Sequence, residues 1–457
     1  MRWPILLILI LLAALALQAG LMAFAMYVLL GVLFLSRYLA KQWVSNLEVT
    51  RETTTAEPVE IGSEFEMKIL VENKGTLPVA WVLVEDLLPE TALKQKPPRL
   101  KIKGKRLKLA TIRAGKLSTL KYTLICEMRG YYQIGPTILE TGDLFGLHRR
   151  HRVVTKPIYL LVLPKVIPLP KYDFASQRPI GEINSAHRLF EDPTRNAGVR
   201  QYQVGDPLQR VHWRATARTG ELMCKIFDPT TLAGATILVD FHLDGYPSRG
   251  EPFRSELVVT VAASLAYAVT MLNQQIGMAS NGRDAADRIR LNIEMQKGAD
   301  EAAPGFETRT DARASGEMLD ESSRLQPVVV ETRRGIEQFQ KIREALGRLE
   351  ITDGLPFVQM LFEVSPRLPR DATVIVILPK VPVEMSSALG SLRRQGFAVT
   401  AVLIGMDDDE RSQAHGRLLA ENIRDVRHVN SEEELGMLGD QAAATGPSPY
   451  GVAIELV

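Results

Sequence analysis

The chain has 457 residues, of which 46% are hydrophobic and 24% are charged, as is ordinary for folded protein. A formal net charge of +2 argues against nucleic acid as a main partner. The two cysteines, Cys126 and Cys224, fall in different predicted domains, so a disulfide framework is excluded and a reducing compartment is favoured. A chain of this length is expected to hold two or three domains.

Residues 1–46 are predicted to form a membrane anchor. The segment from Pro4 to Leu35 carries no charge, and Gln18-Ala19-Gly20 divides it into two apolar runs. Each run is shorter than the about 20 residues that one span needs, so we expect a helical hairpin. Cations flank both ends, which places both ends in the cytoplasm. The alternative is a cleaved signal peptide, but a second apolar run directly follows the candidate cleavage site.

Residues 47–165 alternate polar and apolar side chains with period two. Glu64–Val71, Val79–Val84 and Leu120–Cys126 show this alternation, and Asn73-Lys74-Gly75 is typical of a turn. The pattern predicts an antiparallel β-sandwich of immunoglobulin type. Its most basic segment, Lys94 to Lys108, is either a solvated sheet edge or a surface for anionic membrane lipid.

The connector at residues 166–234 contains the most distinctive run of the chain, from Arg200 to Gly220. Asp206 suits a helix N-cap and Pro207 suits the first helical position, and Gly220 suits the residue beyond the helix end. We therefore predict a helix from Pro207 to Arg218, followed by a strand at Glu221–Asp228. On such a helix four residues would share one face, namely Arg210, Trp213, Arg214 and Ala217.

Two interpretations of this basic run remain open. The arginines could pair with carboxylates of the same chain, such as Asp206, Glu221 and Asp228. They could instead bind an anion or an acidic partner, because guanidinium groups form forked pairs with carboxylate and phosphate. The residues assigned to this candidate site are Arg200, Tyr202, Gly205, Asp206, Arg210, His212, Trp213, Arg214, Arg218 and Lys225.

Residues 235–457 are predicted to form a doubly wound α/β domain with a parallel sheet, because strands alternate with helices. A polar insertion at about residues 281–326 is expected to be a mobile loop. The predicted strands are Ala235–Asp240, Gln275–Ser280, Ala372–Leu378, Ala398–Ile404 and Val452–Val457, and the helices include Glu256–Leu272 and Ile336–Leu349.

Ligands of such sheets bind beyond the carboxyl ends of the strands, where Asp240, His242 and Asp244 are expected. This short run resembles the start of the metal-ion-dependent adhesion site of von Willebrand factor A domains, D-x-S-x-S. His242 and Asp244 replace the two serines. A degenerate site for a divalent metal is therefore one hypothesis, and a carboxylate that caps the following loop is the other.

Taken together, these features resemble the bacterial "domain of unknown function 58" family. The resemblance rests on the apolar N-terminus, on Arg129 to Pro136, on Gly142 to Leu147 and on the Arg200–Lys225 run. The family pattern is roughly R-x-Y-x-x-G-D-x-x-R-x-I-H-W-x-x-T-A-R, and Val211 replaces the usual isoleucine. The molecular function of such proteins is not established. They are often encoded beside MoxR-type AAA+ ATPases, and sometimes beside transglutaminase-like membrane proteins.

Three functional hypotheses follow. The resemblance implies a membrane-anchored adaptor with a chaperone-like or assembly role beside a MoxR-type ATPase. A lipid-surface or envelope-surface structural protein is the second hypothesis. An enzyme is the third, with His212 or His242 as a base, but the sequence contains no complete catalytic set.

Overall fold

The computed structural model describes residues 8, 11, 20–53, 58–143, 148–169, 191–203, 208–229, 234–287, 308–314, 325–369 and 372–438. The predicted bend at Gln18 and Ala19, the Gly205-Asp206 pair and the strand Val452–Val457 lie outside these residues. The chain divides into two compact units. The β-rich unit comprises Met1–Lys165, Arg283–Arg324 and Leu346–Leu349, and the α/β unit comprises Val166–Gly282, Leu325–Ala345 and Glu350–Val457.

The first described helix, α1 (Gly20–Ser45), has two different halves. Its 26 residues are about 39 Å long. The first half exposes large apolar side chains such as Leu21, Phe24 and Val28, whereas the last three turns bury Ala40 and Trp43. By length and composition α1 could cross a membrane or be a signal sequence.

The β-rich unit contains two four-stranded antiparallel sheets, ordered β1-β3-β7-β5 and β10-β9-β4-β6, and a three-stranded sheet ordered β2-β11-β8. In β3 every second side chain is buried, from Phe65 to Val71, so the period-two pattern correctly predicted a β-rich region. The strands are β1 (Leu47–Thr53), β2 (Val59–Glu60), β3 (Glu64–Asn73), β4 (Val79–Asp86), β5 (Leu100–Gly104), β6 (Leu107–Ile112), β7 (Leu117–Cys126), β8 (Gly130–Ile134), β9 (Thr137–Gly142), β10 (Arg149–Val153) and β11 (Ile158–Leu163), with one short helix, α2 (Glu90–Lys94).

Residues of the motif from Arg129 to Pro136 contact buried groups in the interior of this unit. Gly135 has φ +85°, and a Cβ there would collide with the Arg51 guanidinium. That guanidinium is buried in an ion pair with Asp86, so the glycine makes room for a buried charge. Arg129 donates hydrogen bonds to the carbonyls of Leu346 and Leu349, each at 2.8 Å.

The second described part of the polar insertion, residues 308–314, is helical and contacts a buried acid of the β-rich unit. There Arg309 and Arg313, on helix α5 (Arg309–Ala314), each contact the buried Glu85 carboxylate at 2.6 Å. Burial alone would raise the pKa of Glu85, but its hydrogen bonds and charge pairing with the two arginines hold that pKa below its ordinary value. These two residues of the insertion bring cations to a buried anion, and they group with the β-rich unit.

The α/β unit is built on a six-stranded sheet ordered β17-β15-β14-β19-β20-β21, in which only the edge strand β17 is antiparallel. The central helix α4 (Phe253–Met271) is also apolar enough to span a membrane, but most of it is buried as a core helix. The strands are β14 (Gly234–Val239), β15 (Gln275–Ser280), β17 (Val328–Arg333), β19 (Ala372–Leu378), β20 (Ala398–Ile404) and β21 (Asp425–Val429). The remaining helices are α6 (Ile336–Arg348), α7 (Phe357–Val364), α8 (Val383–Arg394), α9 (Asp408–Ala420) and α10 (Glu432–Leu435), and a two-residue ladder joins β16 (Arg283–Asp284) to β18 (Leu349–Glu350).

Candidate functional site

The Arg-rich run is folded on a two-stranded antiparallel ladder of β12 (Glu191–Gln201) and β13 (Met223–Pro229). The part of the connector directly before the Arg-rich run is therefore a strand, with register shifts between Glu191 and Gly198. Arg200 lies opposite Cys224, and Lys225 lies opposite Val199. The Tyr202 N–H donates to the carbonyl of Leu222 at 2.8 Å, which extends the contact beyond the ladder.

The predicted helix from Pro207 to Arg218 is interrupted. A 3₁₀ turn spans Leu208–Arg210, Val211 then forms a bridge with Cys224, and helix α3 runs from Trp213 to Thr219. His212 is the N-cap, because its Nδ1 accepts a hydrogen bond from the Ala215 N–H at 3.0 Å. Consequently Arg210 is not on the same helix as Trp213.

Gly220 ends α3 as predicted, in the left-handed conformation with φ +77°. The helix is also fixed to the ladder, because the Met223 N–H donates to Thr216 Oγ1 at 3.0 Å. With a cap at each end and a hydrogen bond from Met223 in the middle, the short helix α3 is fixed on the ladder.

The outer side of α3 is exposed and carries an aromatic ring beside two cations. We call Trp213, Arg214, Ala217 and Arg218 the Trp213 face. The Trp213 side chain is 69% exposed, and the other three residues are exposed as well. Arg214 and Arg218 are four residues apart and adjacent on the helix. Within the described ranges, neither guanidinium has a hydrogen bond or an ion pair.

The other basic and acidic residues of the run are placed differently. The Arg200 guanidinium donates to the Gln201 carbonyl at 3.2 Å, and Arg210 and Lys225 are half-buried. Glu221, which was predicted to pair with arginine, instead accepts from the Gln201 side chain at 2.7 Å. The structure thus gathers Trp213, Arg214 and Arg218 on one surface, whereas Arg200 and Lys225 belong to the ladder beneath.

Asp240 follows the central strand β14 and is buried at the carboxyl edge of the sheet, with 3% of its surface exposed. Its Oδ1 accepts hydrogen bonds from the Asn281 side chain at 3.0 Å and from the His242 N–H at 3.2 Å. Burial raises the pKa of Asp240 to about 6, although both hydrogen bonds oppose that rise. Its carboxyl group is therefore hydrogen-bonded to two loops, the one that follows β14 and the one that follows β15.

The other two candidate metal ligands point elsewhere. The His242 Nδ1 accepts from the Asp244 N–H at 3.3 Å and so caps a short 3₁₀ turn, and the Asp244 side chain is 80% exposed. In the part of the chain that the structure describes, no three His, Cys, Asp or Glu side chains cluster as a metal site would require. In this structure the Asp240 and His242 side chains accept hydrogen bonds from backbone N–H groups of the following loop.

Asn281 is the partner of Asp240 that the sequence analysis missed. It follows β15, the parallel neighbour of β14, so both residues emerge at the same sheet edge. Its Oδ1 also accepts from the Phe241 N–H at 2.7 Å. A polar residue directly after the neighbouring parallel strand was the available signal.

The second missed feature joins α1 to the β-rich unit, and we call it the helix junction. The Ser36 hydroxyl donates to Asp143 Oδ2 at 2.6 Å, and Asp143 Oδ1 accepts from the His148 N–H at 2.8 Å. Arg152 donates to the Val44 carbonyl at 3.3 Å, near the negative end of the helix dipole. The Gly142-Asp143 motif therefore holds the apolar helix.

Several cations of the basic segment from Lys94 to Lys108 pair with carboxylates of the same unit. Lys101 pairs with Glu127 at 2.8 Å, Lys103 pairs with Glu64 at 2.7 Å, and Lys94 pairs with Glu90. These pairs favour the interpretation as a solvated sheet face.

Comparison with known proteins confirms the family resemblance. The chain carries a region of the family "Protein of unknown function DUF58", matched at residues 198–330, which includes the Trp213 face and Asp240. It is also 24% identical over 274 residues to the uncharacterized protein YeaD of Bacillus subtilis, which covers 57% of this chain. The chain spans 62% of the length of that relative.

Similar solved structures are distant. Proximal thread matrix protein 1 from the mussel byssus is 12% identical and covers 46% of this chain and 45% of its own, with a TM-score of 0.29. The CARDB domain of a Pyrococcus furiosus protein is 14% identical and covers 25% of this chain and 91% of its own, with a TM-score of 0.17.

Proposed function

We propose that this protein is a membrane-anchored adaptor whose Trp213 face binds an acidic surface of a MoxR-type AAA+ ATPase in a chaperone-like or assembly role. The protein acts by binding rather than by catalysis. We further infer that its β-rich unit is an immunoglobulin-type sandwich and its α/β unit a doubly wound, von Willebrand factor A-like domain.

The observation that carries this proposal is the exposure of Trp213 beside two guanidinium groups that have no partner among the described residues. Tryptophan and arginine are the residues most enriched at the energetic centres of protein interfaces. An exposed indole costs solubility, and side-by-side cations repel one another, so neither arrangement stabilises the isolated chain. Both become favourable when an acidic partner covers them.

Anchorage is supported by the two halves of α1. The candidate cleavage site near Ala19 lies upstream of α1, so cleavage there would leave its exposed apolar half attached to the folded protein. The last turns cannot be removed without loss of core, because Trp43 packs in the same cluster as Met67 and Ile69. An exposed apolar helix that is built into a folded unit is suited to a bilayer rather than to water.

The test measures binding of the full chain in nanodiscs to the purified MoxR-type ATPase of the same organism. Trp213→Ala should weaken binding by about tenfold, as expected for a central aromatic contact. Arg214→Glu combined with Arg218→Glu should weaken it at least as much, and added salt should weaken wild-type binding because it screens the charges.

Matched controls lie elsewhere on the same α/β unit. Phe362 is 64% exposed, and Arg249 and Arg367 are exposed without partners among the described residues. Phe362→Ala, and Arg249→Glu with Arg367→Glu, should leave the affinity unchanged. Equal losses in controls and test variants, or no binding by the wild-type chain, would contradict the proposal.

A further inference from the structure

At the helix junction, α1 and strand β10 run side by side. Ser36 contacts Asp143 at the start of this contact, where the His148 N–H also donates to Asp143, and Arg152 reaches the Val44 carbonyl at its end. From Ser36 to Val44 the helix rises about 12 Å, and from His148 to Arg152 the strand rises about 14 Å. The two contacts are therefore about equally far apart along both elements. The β-rich unit is therefore fixed against the last turns of α1.

Three cations lie beside this contact without a partner among the described residues. Arg37 and Lys41 are exposed and four residues apart on α1, so they share one side of the helix. Arg150, half-buried on β10, lies on the same strand face as Arg152, whose guanidinium reaches the helix end. Its neighbour Arg149 differs, because it pairs with Glu140 at 3.4 Å.

The exposed side chains of α1 indicate where these cations lie relative to the bilayer. Phe34 and Leu35 are the last large aliphatic or phenyl side chains that α1 exposes before its first charge, Arg37. Tyr38, which is also exposed, is of the type that concentrates at the headgroup level of bilayers. If the apolar half of α1 lies in hydrocarbon, then Arg37, Lys41 and Arg150 lie among the lipid headgroups.

We propose that Arg37, Lys41 and Arg150 form a cationic collar that binds the phosphates of anionic lipids and thereby holds the β-rich unit in one orientation against the bilayer. This inference rests on the membrane anchorage in the proposed function, but not on the ATPase. Charge complementarity selects the ligand, since cations close to an anionic membrane surface are attracted to its phosphates.

The test uses the full chain in vesicles that contain equal amounts of phosphatidylglycerol and phosphatidylcholine. After mild detergent extraction, the lipid that co-purifies is measured by mass spectrometry. The wild-type chain should retain phosphatidylglycerol over phosphatidylcholine by about fivefold, and the variant Arg37→Gln/Lys41→Gln/Arg150→Gln should show no preference.

The control variant is Lys94→Gln/Lys101→Gln/Lys103→Gln, which removes the same charge from cations that already have carboxylate partners. It should retain the wild-type preference. A collar variant that still prefers phosphatidylglycerol, or a control that loses the preference equally, would overturn the collar. Extraction of the wild-type chain by alkaline carbonate would overturn the anchorage itself, and with it the collar, whereas a retained chain without lipid preference would overturn the collar alone.

Discussion

Replacing Asp143 with alanine should lower the free energy of unfolding of the β-rich unit by about 3 kcal/mol. The substitution leaves the Ser36 hydroxyl and the His148 N–H without their buried acceptor, and hydrogen bonds to a charged group contribute about 1.5–3 kcal/mol each. Hydrogen exchange of the β9 amides in detergent micelles would measure the loss.

Two further variants test whether this loss of stability arises from the hydrogen bonds of the helix junction. Ser36→Ala removes only one of the two hydrogen bonds, so its cost should be about 1.5 kcal/mol. Asp143→Asn keeps one acceptor oxygen and should fall between the other two variants. If Asp143→Ala and Ser36→Ala cost the same, the His148 bond contributes nothing and the junction is weaker than its geometry indicates.

Replacing Asp240 with asparagine should stabilise the α/β unit at pH 8 by up to about 3 kcal/mol and have little effect at pH 4. The folded pKa of Asp240, about 6, lies above the ordinary value of 3.8. Between these values the folded chain binds more protons than the unfolded chain, so stability falls as the pH rises. Above pH 6 the ionised carboxylate remains buried, and each unit of pKa shift costs about 1.4 kcal/mol.

Asparagine keeps the acceptor oxygen that Asn281 and the His242 N–H use, and it cannot ionise. Hydrogen exchange of the α4 amides between pH 4 and pH 8 would measure the difference between the two chains. Asp244→Asn, at an 80% exposed position, is the control and should leave the profile unchanged. If the stability difference between the wild-type chain and Asp240→Asn does not vary between pH 4 and pH 8, Asp240 is ionised in the folded chain even at pH 4, as a bound cation would make it. That result would contradict the raised pKa.

The sequence predicted most regular elements, because their signals are local. Alternation in β3 and the mainly apolar runs of β14, β19 and β20 are fully present in the sequence. The edge strand β17 was missed because its sequence, three valines followed by three polar residues, does not alternate and follows a long polar insertion.

The start of α3 shows where local rules fail. Asp206 and Pro207 suited a helix start, but a 3₁₀ turn at Leu208–Arg210 and the bridge between Val211 and Cys224 come before the α-helix, which begins only at Trp213. Such a bridge joins residues 13 positions apart and leaves no mark in the spacing of either segment. As a result, Arg210 was placed on a face that it does not share.

The helix junction and the Asp240–Asn281 bond could not be predicted for a similar reason. Ser36 and Asp143 are 107 residues apart, and Asp240 and Asn281 are 41 apart. Each residue alone is compatible with a surface or a cap. Their roles depend on which strands become neighbours, and that is decided by the whole fold.

The most direct test of the account is labelling of Ala217→Cys with a membrane-impermeant maleimide. Both native cysteines are buried, and Ala217 lies on the exposed Trp213 face without supplying its ring or charges. The cysteine should react in inverted inner-membrane vesicles but not in intact spheroplasts, and bound MoxR-type ATPase should slow its reaction without slowing that of Asp244→Cys. Labelling in intact spheroplasts would place this face outside the cytoplasm, and unchanged labelling in the presence of the ATPase would show that the Trp213 face is not its binding surface.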